Sequence, residues 1–375
     1  MQQKNKIISW WMTPKFPLVH LEDKTSFVKK WIFHPIKRRL AKNYLGLLQK
    51  FTDIKVIGIT GSAGKTTTKE MLASILKKSG KTVWTPRNID PIYNIPTTIL
   101  RTPIGTKYLI LEMGVEYPDE MNFYLWLAKL DVGVITNIFP THLEFMKSIE
   151  GVFDEKKKIV TRLTMTDVAI LNEDDAKLKS LKNKLKSQIL WFKSNTDPIK
   201  QNAEAAKLTA ESLGISPAIV NEGLDSYTPP EHRLNWIKSK NGLVILDDTY
   251  NSNPQAVLTT LSVFENKYNK EKRYVNQKIA ILGDMLELGN YEEKAHKEIG
   301  KKVSEMKFDI VIGVGKASRY LIKEINNRTK NVKTFLVSNN AEALEIVKPL
   351  IVKNTWVLVK GSHSIHLEEV VKKLT

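Results

Sequence analysis

Residues 58–70, which read GITGSAGKTTTKE, are the part of this chain best suited to chemistry. They follow a β-branched stretch that predicts a buried strand (residues 56–60), and they precede apolar residues at helical spacing (residues 70–76). A glycine turn between a strand and a helix directs backbone N–H groups and the helix N-terminus toward an anion. Lys65 can reach terminal phosphates, and the Thr66 hydroxyl can hold Mg²⁺. The run therefore predicts a nucleotide phosphate site made of Gly61, Ser62, Ala63, Gly64, Lys65, Thr66 and Thr67.

Strands and helices alternate through the rest of the chain, which predicts mostly parallel sheets covered by helices. One helix is expected over residues 148–163. The pair Pro229–Pro230 interrupts the alternation, and a second series of strands begins after it. The sequence thus predicts an α/β protein with an N-terminal arm (residues 1–50), a central domain (residues 51–229) and a C-terminal domain (residues 230–375).

Polar residues follow several of the predicted strands, where open α/β sheets bind their ligands. Glu112 closes one strand, and His142 lies shortly after another. A carboxylate and an imidazole near a phosphate loop can ligate Mg²⁺, although histidine is an unusual ligand for so hard an ion. Each residue also has a purely structural interpretation, as a cap or ion-pair partner for Glu112 and as a core or surface residue for His142.

The net charge of +18 is concentrated at the start of the chain. Residues 1–50 hold 11 Lys and Arg against 2 Asp and Glu, so half of the excess lies there, together with Trp10, Trp11 and Trp31. Basic and aromatic residues together suit an anionic membrane surface or a nucleic acid, or they belong to an ordinary helical arm packed on the body. The chain has no cysteine, which excludes disulfides and thiol nucleophiles. It also has no run of about 18 apolar residues that would predict a transmembrane helix.

A series of short motifs in one order resembles the Mur ligase family, ATP-dependent amide-bond-forming ligases of peptidoglycan assembly. The runs are residues 60–66 (TGSAGKT), 112–114 (EMG), 136–138 (TNI), 142–144 (HLE), 171–175 (LNEDD), 232–234 (HRL), 247–254 (DDTYNSNP), 282–289 (LGDMLELG) and 359–362 (VKGS). The runs at 250–254 and 283–289 favour the branch that adds D-alanyl-D-alanine to a muramoyl-tripeptide. The resemblance implies a central P-loop ATPase domain and a C-terminal Rossmann-like domain.

The resemblance also implies a mechanism, in which ATP phosphorylates a substrate carboxylate and an amine then displaces phosphate from the acyl phosphate. Lys65 would bind the β- and γ-phosphates, Thr66 and Glu112 would hold one Mg²⁺, and His142 would take part in a second metal site. The family's lysine carbamylated by CO₂ corresponds to Lys156, or to Lys157 if the register shifts by one. Five further residues are implied at the nucleotide. Asn172 and Asp174 would lie beside the adenine, and Arg233, Asp248 and Asn251 would come from the C-terminal domain, of which Arg233 and Asp248 would reach the nucleotide on domain closure.

Some features depart from the family pattern. The family's N-terminal domain grips the UDP end of the substrate, whereas only about 50 basic residues precede the P-loop domain here, so we expect that domain to be missing or supplied in trans. Residues 85–94 and 361–366 also differ from the expected motifs, which concerns substrate recognition more than ATP chemistry. Glu287, with Gly283 and Asp284, belongs either to a structural turn or to the amine pocket.

Several alternatives remain open at this stage. The chain could be a Mur-type ligase for another amino acid or peptide, acting on a non-UDP or lipid-linked acceptor. It could also be a non-catalytic partner subunit, or a P-loop ATPase that binds nucleic acid, although no nucleic-acid motif is recognisable. We expect a monomeric cytoplasmic enzyme that uses a muramoyl-peptide acceptor and D-alanyl-D-alanine, touches the inner membrane face through residues 1–50, and binds no nucleic acid.

Overall fold

The computed structural model describes residues 6–15, 26–86, 90–195, 197–239 and 242–375. The chain forms two compact units. The first contains the residues up to 139 together with 145–227, and the second contains residues 140–144 and 228–375. Within the described ranges, no helix has the length and apolar character needed to cross a bilayer.

The first unit is built on a six-stranded sheet in which every neighbouring pair is parallel. Its strands are β1 (Lys55–Thr60), β2 (Thr82–Trp84), β3 (Tyr108–Glu112), β4 (Val132–Ile135), β5 (Val168–Asn172) and β6 (Gln188–Phe192), in the spatial order β2-β3-β1-β4-β5-β6. The register pairs Ile59 with Glu112 on one side and Thr60 with Ile135 on the other. The ends of three adjacent strands therefore meet at the phosphate loop.

Eleven α-helices are described from the start of the chain to the end of this unit, and a π-helix (Lys29–Phe33) leads directly into the second of them. They are α1 (Lys6–Met12), α2 (His34–Phe51), α3 (Lys65–Lys77), α4 (Pro91–Leu100), α5 (Glu120–Leu127), α6 (Leu143–Met146), α7 (Ile149–Lys156), α8 (Lys158–Thr161), α9 (Ala176–Lys179), α10 (Pro198–Ser212) and α11 (Pro217–Asp225). Helix α3 buries Met71, Leu72, Ile75 and Leu76 against the sheet, as their spacing predicts. Helices α10 and α11 pack beside α3.

The single helix expected over residues 148–163 is two helices, α7 and α8, which are separated at Lys157. The apolar spacing continues through this one-residue turn, so the periodicity could not reveal it. The turn matters for the site because Lys156 is buried at the end of α7, whereas the Lys157 side chain is 35% exposed.

The second unit has its own six-stranded sheet in the order β11-β10-β9-β12-β8-β7. Its elements are β7 (Asn235–Lys238), β8 (Val244–Asp247), α12 (Pro254–Glu271), β9 (Gln277–Gly283), α13 (Glu292–Glu305), β10 (Ile310–Val314), α14 (Ser318–Arg328), β11 (Lys333–Val337), α15 (Asn340–Val347), β12 (Thr355–Lys360) and α16 (Glu368–Leu374). Only β7 runs antiparallel among the described strands. Apolar clusters fill both faces of the sheet.

The sheet structure confirms the predicted α/β class and adds two strands that the sequence did not reveal. These are β2 and β7, which lie at the edges of their sheets. Both are only three or four residues long and half-exposed, so neither carries the continuous apolar run that marks the central strands.

Candidate functional site

The phosphate loop between β1 and α3 depends on two glycines. Gly61 has φ +148° and Gly64 has φ +82°, values that L side chains rarely adopt. A Cβ atom at Gly61 would lie 1.9 Å from the Thr136 hydroxyl oxygen, and one at Gly64 would lie 2.3 Å from Asn202 Oδ1. The loop therefore needs glycine at both positions for its backbone path and for its packing.

The segment after β4 holds the loop in place. Asn137 Oδ1 accepts a hydrogen bond from the Ala63 N–H (2.8 Å), and its Nδ2 donates to the Ala63 carbonyl (3.1 Å). The Ser62 hydroxyl donates to the Phe139 carbonyl (2.8 Å) and accepts from the Phe139 N–H (2.9 Å). The side chains of Ser62 and Asn137 thus fix the loop conformation.

Three of the predicted residues meet at the start of α3. Lys65 Nζ donates to the Gly61 carbonyl (2.8 Å), so the side chain folds back over the loop. The Thr66 hydroxyl donates to Glu112 Oε1 (2.7 Å), and Thr67 is half-buried in the same turn. Two oxygen donors of the kind that Mg²⁺ prefers therefore lie side by side at the edge of the phosphate loop.

Lys69 contacts the candidate site residue Glu112, and the sequence analysis missed it. Its side chain is fully buried, and Nζ lies 3.0 Å from Glu112 Oε2 and 3.2 Å from Glu70 Oε1. It also donates to the carbonyl of Thr85 (2.8 Å), whose hydroxyl accepts from the Glu112 N–H (3.0 Å). Glu112 is thus held through both carboxylate oxygens, by Thr66 on one side and Lys69 on the other. The signal was available, since residues three apart on a helix share a face.

Lys156 has the properties of a reactive amine. It is 1% exposed, and burial followed by the nearby Lys65 ammonium lowers its pKa from 10.5 to about 7, against the opposing effect of Glu120 and other carboxylates. In the part of the chain that the structure describes, no hydrogen bond or ion pair engages its Nζ. Lys157 differs, because its Nζ donates to Asp154 Oδ1 at 2.6 Å near the surface.

Two buried carboxylates surround Lys156 without pairing directly with it. Glu155 accepts from the N–H groups of Asp119 (3.0 Å) and Met121 (2.8 Å), at the beginning of α5. Glu120 accepts from the Tyr124 hydroxyl (2.6 Å), and burial raises its pKa to about 7. Both carboxyl groups near Lys156 are therefore already held by hydrogen bonds to the protein.

The predicted adenine-side residues lie after β5. Asn172 is buried, and its Nδ2 donates to the Ser194 hydroxyl (3.1 Å). Asp174 Oδ2 accepts from the Ser194 N–H (2.7 Å). Both side chains therefore join the ends of β5 and β6, at the same edge of the sheet as the phosphate loop.

The second unit holds the remaining predicted residues. The imidazole of His142 lies with Nδ1 2.6 Å from Glu287 Oε2, and both residues have positive φ, +51° and +62°. Glu287 belongs to the 282–289 motif. The structure thus brings together two separate motif residues that the sequence analysis had treated apart.

The 247–254 motif forms a compact polar cluster in this unit. Asp248 Oδ2 accepts from Lys360 Nζ (2.6 Å) and also from the Thr260 hydroxyl. Lys360, which is 2% exposed, donates further to the carbonyl of Asn251 (2.9 Å). Lys360 is a second residue that the sequence analysis did not assign, although it lies in the 359–362 motif.

Arg233 stacks its guanidinium on the ring of Tyr250, with Cζ 3.8 Å from the ring centroid. Asn251 is exposed, and its side chain accepts from the Ser252 N–H (2.7 Å). The stacked guanidinium and the exposed amide border the cluster that Asp248 and Lys360 form.

Asp284 has a structural role, because its side chain forms hydrogen bonds with the start of α14. Its carboxylate accepts from the N–H groups of Ala317 (3.1 Å) and Ser318 (2.7 Å) and from the Ser318 hydroxyl (2.8 Å). It therefore caps the start of α14, while the exposed carboxylate of Glu287 in the same motif contacts His142.

The predicted site residues thus form two groups. The phosphate loop, Glu112, Lys156, Asn172 and Asp174 lie together in the first unit, whereas His142, Arg233, Asp248 and Asn251 lie in the second. Within residues 85–94, positions 87–89 lie outside the described residues, as do residues 1–5 and 16–25 of the N-terminal arm.

Comparison with family models matches both units. The Mur ligase middle domain matches residues 59–225, and the Mur ligase glutamate ligase domain matches residues 232–363. A UDP-N-acetylmuramoyl-tripeptide–D-alanyl-D-alanine ligase from Buchnera aphidicola subsp. Baizongia pistaciae is 31% identical over 361 positions, covering 86% of this chain and 76% of that protein. The Bacillus subtilis ligase of the same name is 30% identical over 370 positions, covering 90% of this chain and 78% of that protein.

Solved structures of MurF ligases are also similar to this chain. MurF from Acinetobacter baumannii superposes with a TM-score of 0.80 at 25% identity, covering 91% of this chain and 80% of that one. MurF ligase from Thermotoga maritima, solved in complex with ADP, gives a TM-score of 0.77 at 25% identity and covers 90% and 82% of the two chains. These likenesses confirm the predicted P-loop-like and Rossmann-like domains.

Proposed function

The chain belongs to the Mur ligase family, and from this premise we propose that it joins D-alanyl-D-alanine to the tripeptide of a UDP-N-acetylmuramoyl-tripeptide. It is an ATP-dependent ligase, and the relatives that carry this activity in their names share about 30% identity with it over most of its length. The main structural support for the proposal is the phosphate loop, which has Thr66 and Glu112 at its edge. The same unit contains the buried Lys156, whose pKa is lowered to about 7. We assign ATP binding to the central domain (residues 51–229). We assign further contacts to the nucleotide to the C-terminal domain (residues 230–375).

The proposed reaction has two steps. The terminal carboxylate of the tripeptide attacks the γ-phosphorus of ATP, so an acyl phosphate forms and ADP leaves. The amine of D-alanyl-D-alanine then attacks the acyl carbon, and phosphate and one proton leave as the amide bond forms. Positioning and positive charge at the phosphates supply most of the catalysis in such a reaction. Lys65, which can leave the Gly61 carbonyl for the phosphates, supplies that charge.

The residues at the loop fit a magnesium ion. Thr66 Oγ1 and the Glu112 carboxylate offer hard oxygen donors 2.7 Å apart, which is the donor set that Mg²⁺ takes. When bound, Mg²⁺ would neutralise charge on the transferred phosphoryl group. The protein's part is to orient Glu112, and Thr85 and Lys69 do this through its N–H group and its second oxygen. We propose that His142 serves a second Mg²⁺.

Lys156 fits the family's carbamylated lysine better than Lys157 does. Carbamylation needs a neutral amine, since the nitrogen lone pair attacks CO₂ and one proton leaves as the carbamate forms. A pKa near 7 leaves much of the Lys156 amine neutral at physiological pH, whereas Lys157 is ion-paired near the surface. The carbamate would be a buried anion close to Lys65 that could act as a metal ligand.

In the second unit, we assign nucleotide contacts to Arg233, Asp248 and Asn251. Lys360 and Thr260 orient Asp248 for that contact. In the first unit, we assign the adenine side to Asn172 and Asp174. We further propose that the enzyme works as a monomer in the cytoplasm and touches the anionic inner face of the membrane through residues 1–50.

Phosphate release from ATP tests the proposal. With UDP-N-acetylmuramoyl-tripeptide and D-alanyl-D-alanine present, we expect release that requires both substrates and a product of the corresponding mass. Lys65→Ala should abolish release, whereas Lys77→Ala, at the far end of the same helix, should leave it unchanged. Release that occurs only with a lipid-linked acceptor or another amine would refute the substrate assignment but retain the ligase chemistry.

A matched pair of variants tests the lysine assignment. Lys156→Ala should remove activity in bicarbonate buffer, and Lys157→Ala should retain it. Removing CO₂ from the buffer should slow the wild-type enzyme and restoring it should reverse the loss. Full activity of Lys156→Ala would exclude a carbamate there.

A further inference from the structure

The outward face of helix α2 carries a stripe of exposed apolar side chains. Phe33, immediately before the helix, is 63% exposed, and four residues of the helix continue the stripe. These are Ile36 (41%), Leu40 (56%), Leu47 (56%) and Phe51 (72%). The intervals of three, four, seven and four residues place all five on one face of the helix. We call this set the α2 stripe.

The α2 stripe is separate from the face that holds the helix on the protein. Ala41, Leu45 and Leu48 are buried and face the first unit, where α2 packs on α4 and α5. One apolar face is enough to dock a surface helix on its own domain. The α2 stripe is therefore a second apolar face that the described residues leave uncovered.

The surroundings of the stripe are strongly basic. Residues 26–52 contain seven Lys and Arg and not one Asp or Glu. Lys29 and Lys50 are exposed, and Lys50 lies with its Nζ 5.3 Å from the centroid of the Phe51 ring. An apolar stripe bordered by cations and free of acidic residues is complementary to a surface that is apolar beneath and negative on top.

Helix α1 adds an aromatic residue beside α2. Arg39 holds it there, with its guanidinium 4.2 Å from the centroid of the Trp10 ring, and Arg38 donates to the carbonyls of Trp11 and Pro14 (3.0 Å each). Trp10 is nevertheless 60% exposed. Tryptophan is enriched at the boundary between headgroups and acyl chains.

We propose that the α2 stripe is the surface through which the protein docks on an anionic lipid bilayer, with α2 lying parallel to the membrane plane. The inference deepens the membrane contact proposed above for residues 1–50 and rests on it. It assigns that contact to named side chains on one helix, with Leu40 and Leu47 at its centre and the flanking lysines facing lipid phosphates.

Co-sedimentation with vesicles tests this assignment. The full chain should bind vesicles of phosphatidylcholine and phosphatidylglycerol in a 7:3 ratio, and binding should weaken in pure phosphatidylcholine and at high salt. Leu40→Ser with Leu47→Ser should reduce the partition constant by about tenfold or more, because two apolar side chains no longer enter the lipid. The matched control is Leu336→Ser with Val352→Ser, which removes two aliphatic side chains of similar exposure (49% and 51%) and should bind like the wild type.

Fluorescence from a labelled cysteine gives an independent measurement of membrane contact, because the sequence contains no cysteine that would compete for the dye. In Leu47→Cys, a thiol-linked environment-sensitive dye should shift to an apolar signal when anionic vesicles are added. The same dye in Met165→Cys, at a position where Met165 is 83% exposed, should not shift. Equal binding of the stripe variant and wild type would overturn the α2 assignment while leaving a membrane contact through other residues of the arm. No binding by the wild type would overturn both. A dimer in solution that the stripe variant abolishes would assign the α2 stripe to contact with a second copy of this chain instead.

Ligase activity is measured without vesicles and should be the same in all variants. A failure of the proposed reaction can therefore be distinguished from a failure of membrane binding.

Discussion

Replacing the buried Lys69 by methionine should damage the magnesium site while leaving the phosphate loop intact. The two side chains have similar length, so the change removes the ammonium with little change in volume. Glu112 then loses its 3.0 Å partner on Oε2, although Thr66 still donates to Oε1. Glu70 and the Thr85 carbonyl lose the same partner.

The size of the effect follows from burial. Removing one member of a buried ion pair costs about 3–5 kcal/mol, and we expect about 3 kcal/mol here because the Glu112 side chain is 18% exposed. For the metal, losing a group that orients a ligand lowers affinity by about 10- to 100-fold. Lys69→Met should therefore need roughly that much more Mg²⁺ for half-maximal activity.

Two readouts separate a positioning role from a general loss of stability. The first is activity against Mg²⁺ concentration, and the second is Mn²⁺ binding followed by electron paramagnetic resonance in the presence of ADP. Lys278→Met is the matched control, because Lys278 is a buried lysine of the second unit with a carboxylate, Glu265, 3.8 Å away. It should lower the free energy of unfolding without changing either metal curve. A Lys69→Met protein that is less stable but has wild-type metal curves would refute the reasoning, whereas partial recovery in Lys69→Arg would support it.

Three further predictions concern the loop, the core and the second unit. Gly61→Ala should abolish thermal stabilisation by ADP, because the new Cβ would clash with Thr136, while Gly46→Ala, with open space around it, should not; retained stabilisation would contradict the proposed loop geometry. Burial, followed by the nearby Arg38, lowers the pKa of His34 from 6.5 to about 4. Between these two values the folded protein keeps His34 neutral while the unfolded chain protonates it, so stability falls as the pH drops through this range. Urea unfolding should show a loss of about 2 kcal/mol between pH 7.5 and pH 5 that is missing in His34→Phe, and identical pH profiles would contradict it. Asp284→Ala should lower the free energy of unfolding by about 2 kcal/mol through the uncapped start of α14, and an unchanged value in urea titration would exclude the capping role.

Much of the architecture could be read from the sequence because the central strands are short, apolar and bounded by polar residues. Strands β1, β3, β9 and β10 are buried along almost their whole length, so their composition alone marks them. The edge strands β2 and β7 were missed because only the pairing with a neighbour defines them. The turn at Lys157 was missed because apolar spacing runs through it.

The sequence by itself determined the chemistry of the phosphate loop, since glycine spacing, a lysine and a threonine between a strand and a helix depend on local geometry alone. It also placed Glu112 and Lys156 as candidates through the family's motifs. Only the tertiary structure decided what surrounds them. Two findings depend on burial and on distances between segments far apart in the chain. Lys69 holds Glu112 although it lies 43 residues earlier, and Lys156 is buried with a lowered pKa, whereas Lys157 pairs with Asp154 near the surface. Desolvation and ion pairing arise only when those segments pack together, so no local pattern can encode them.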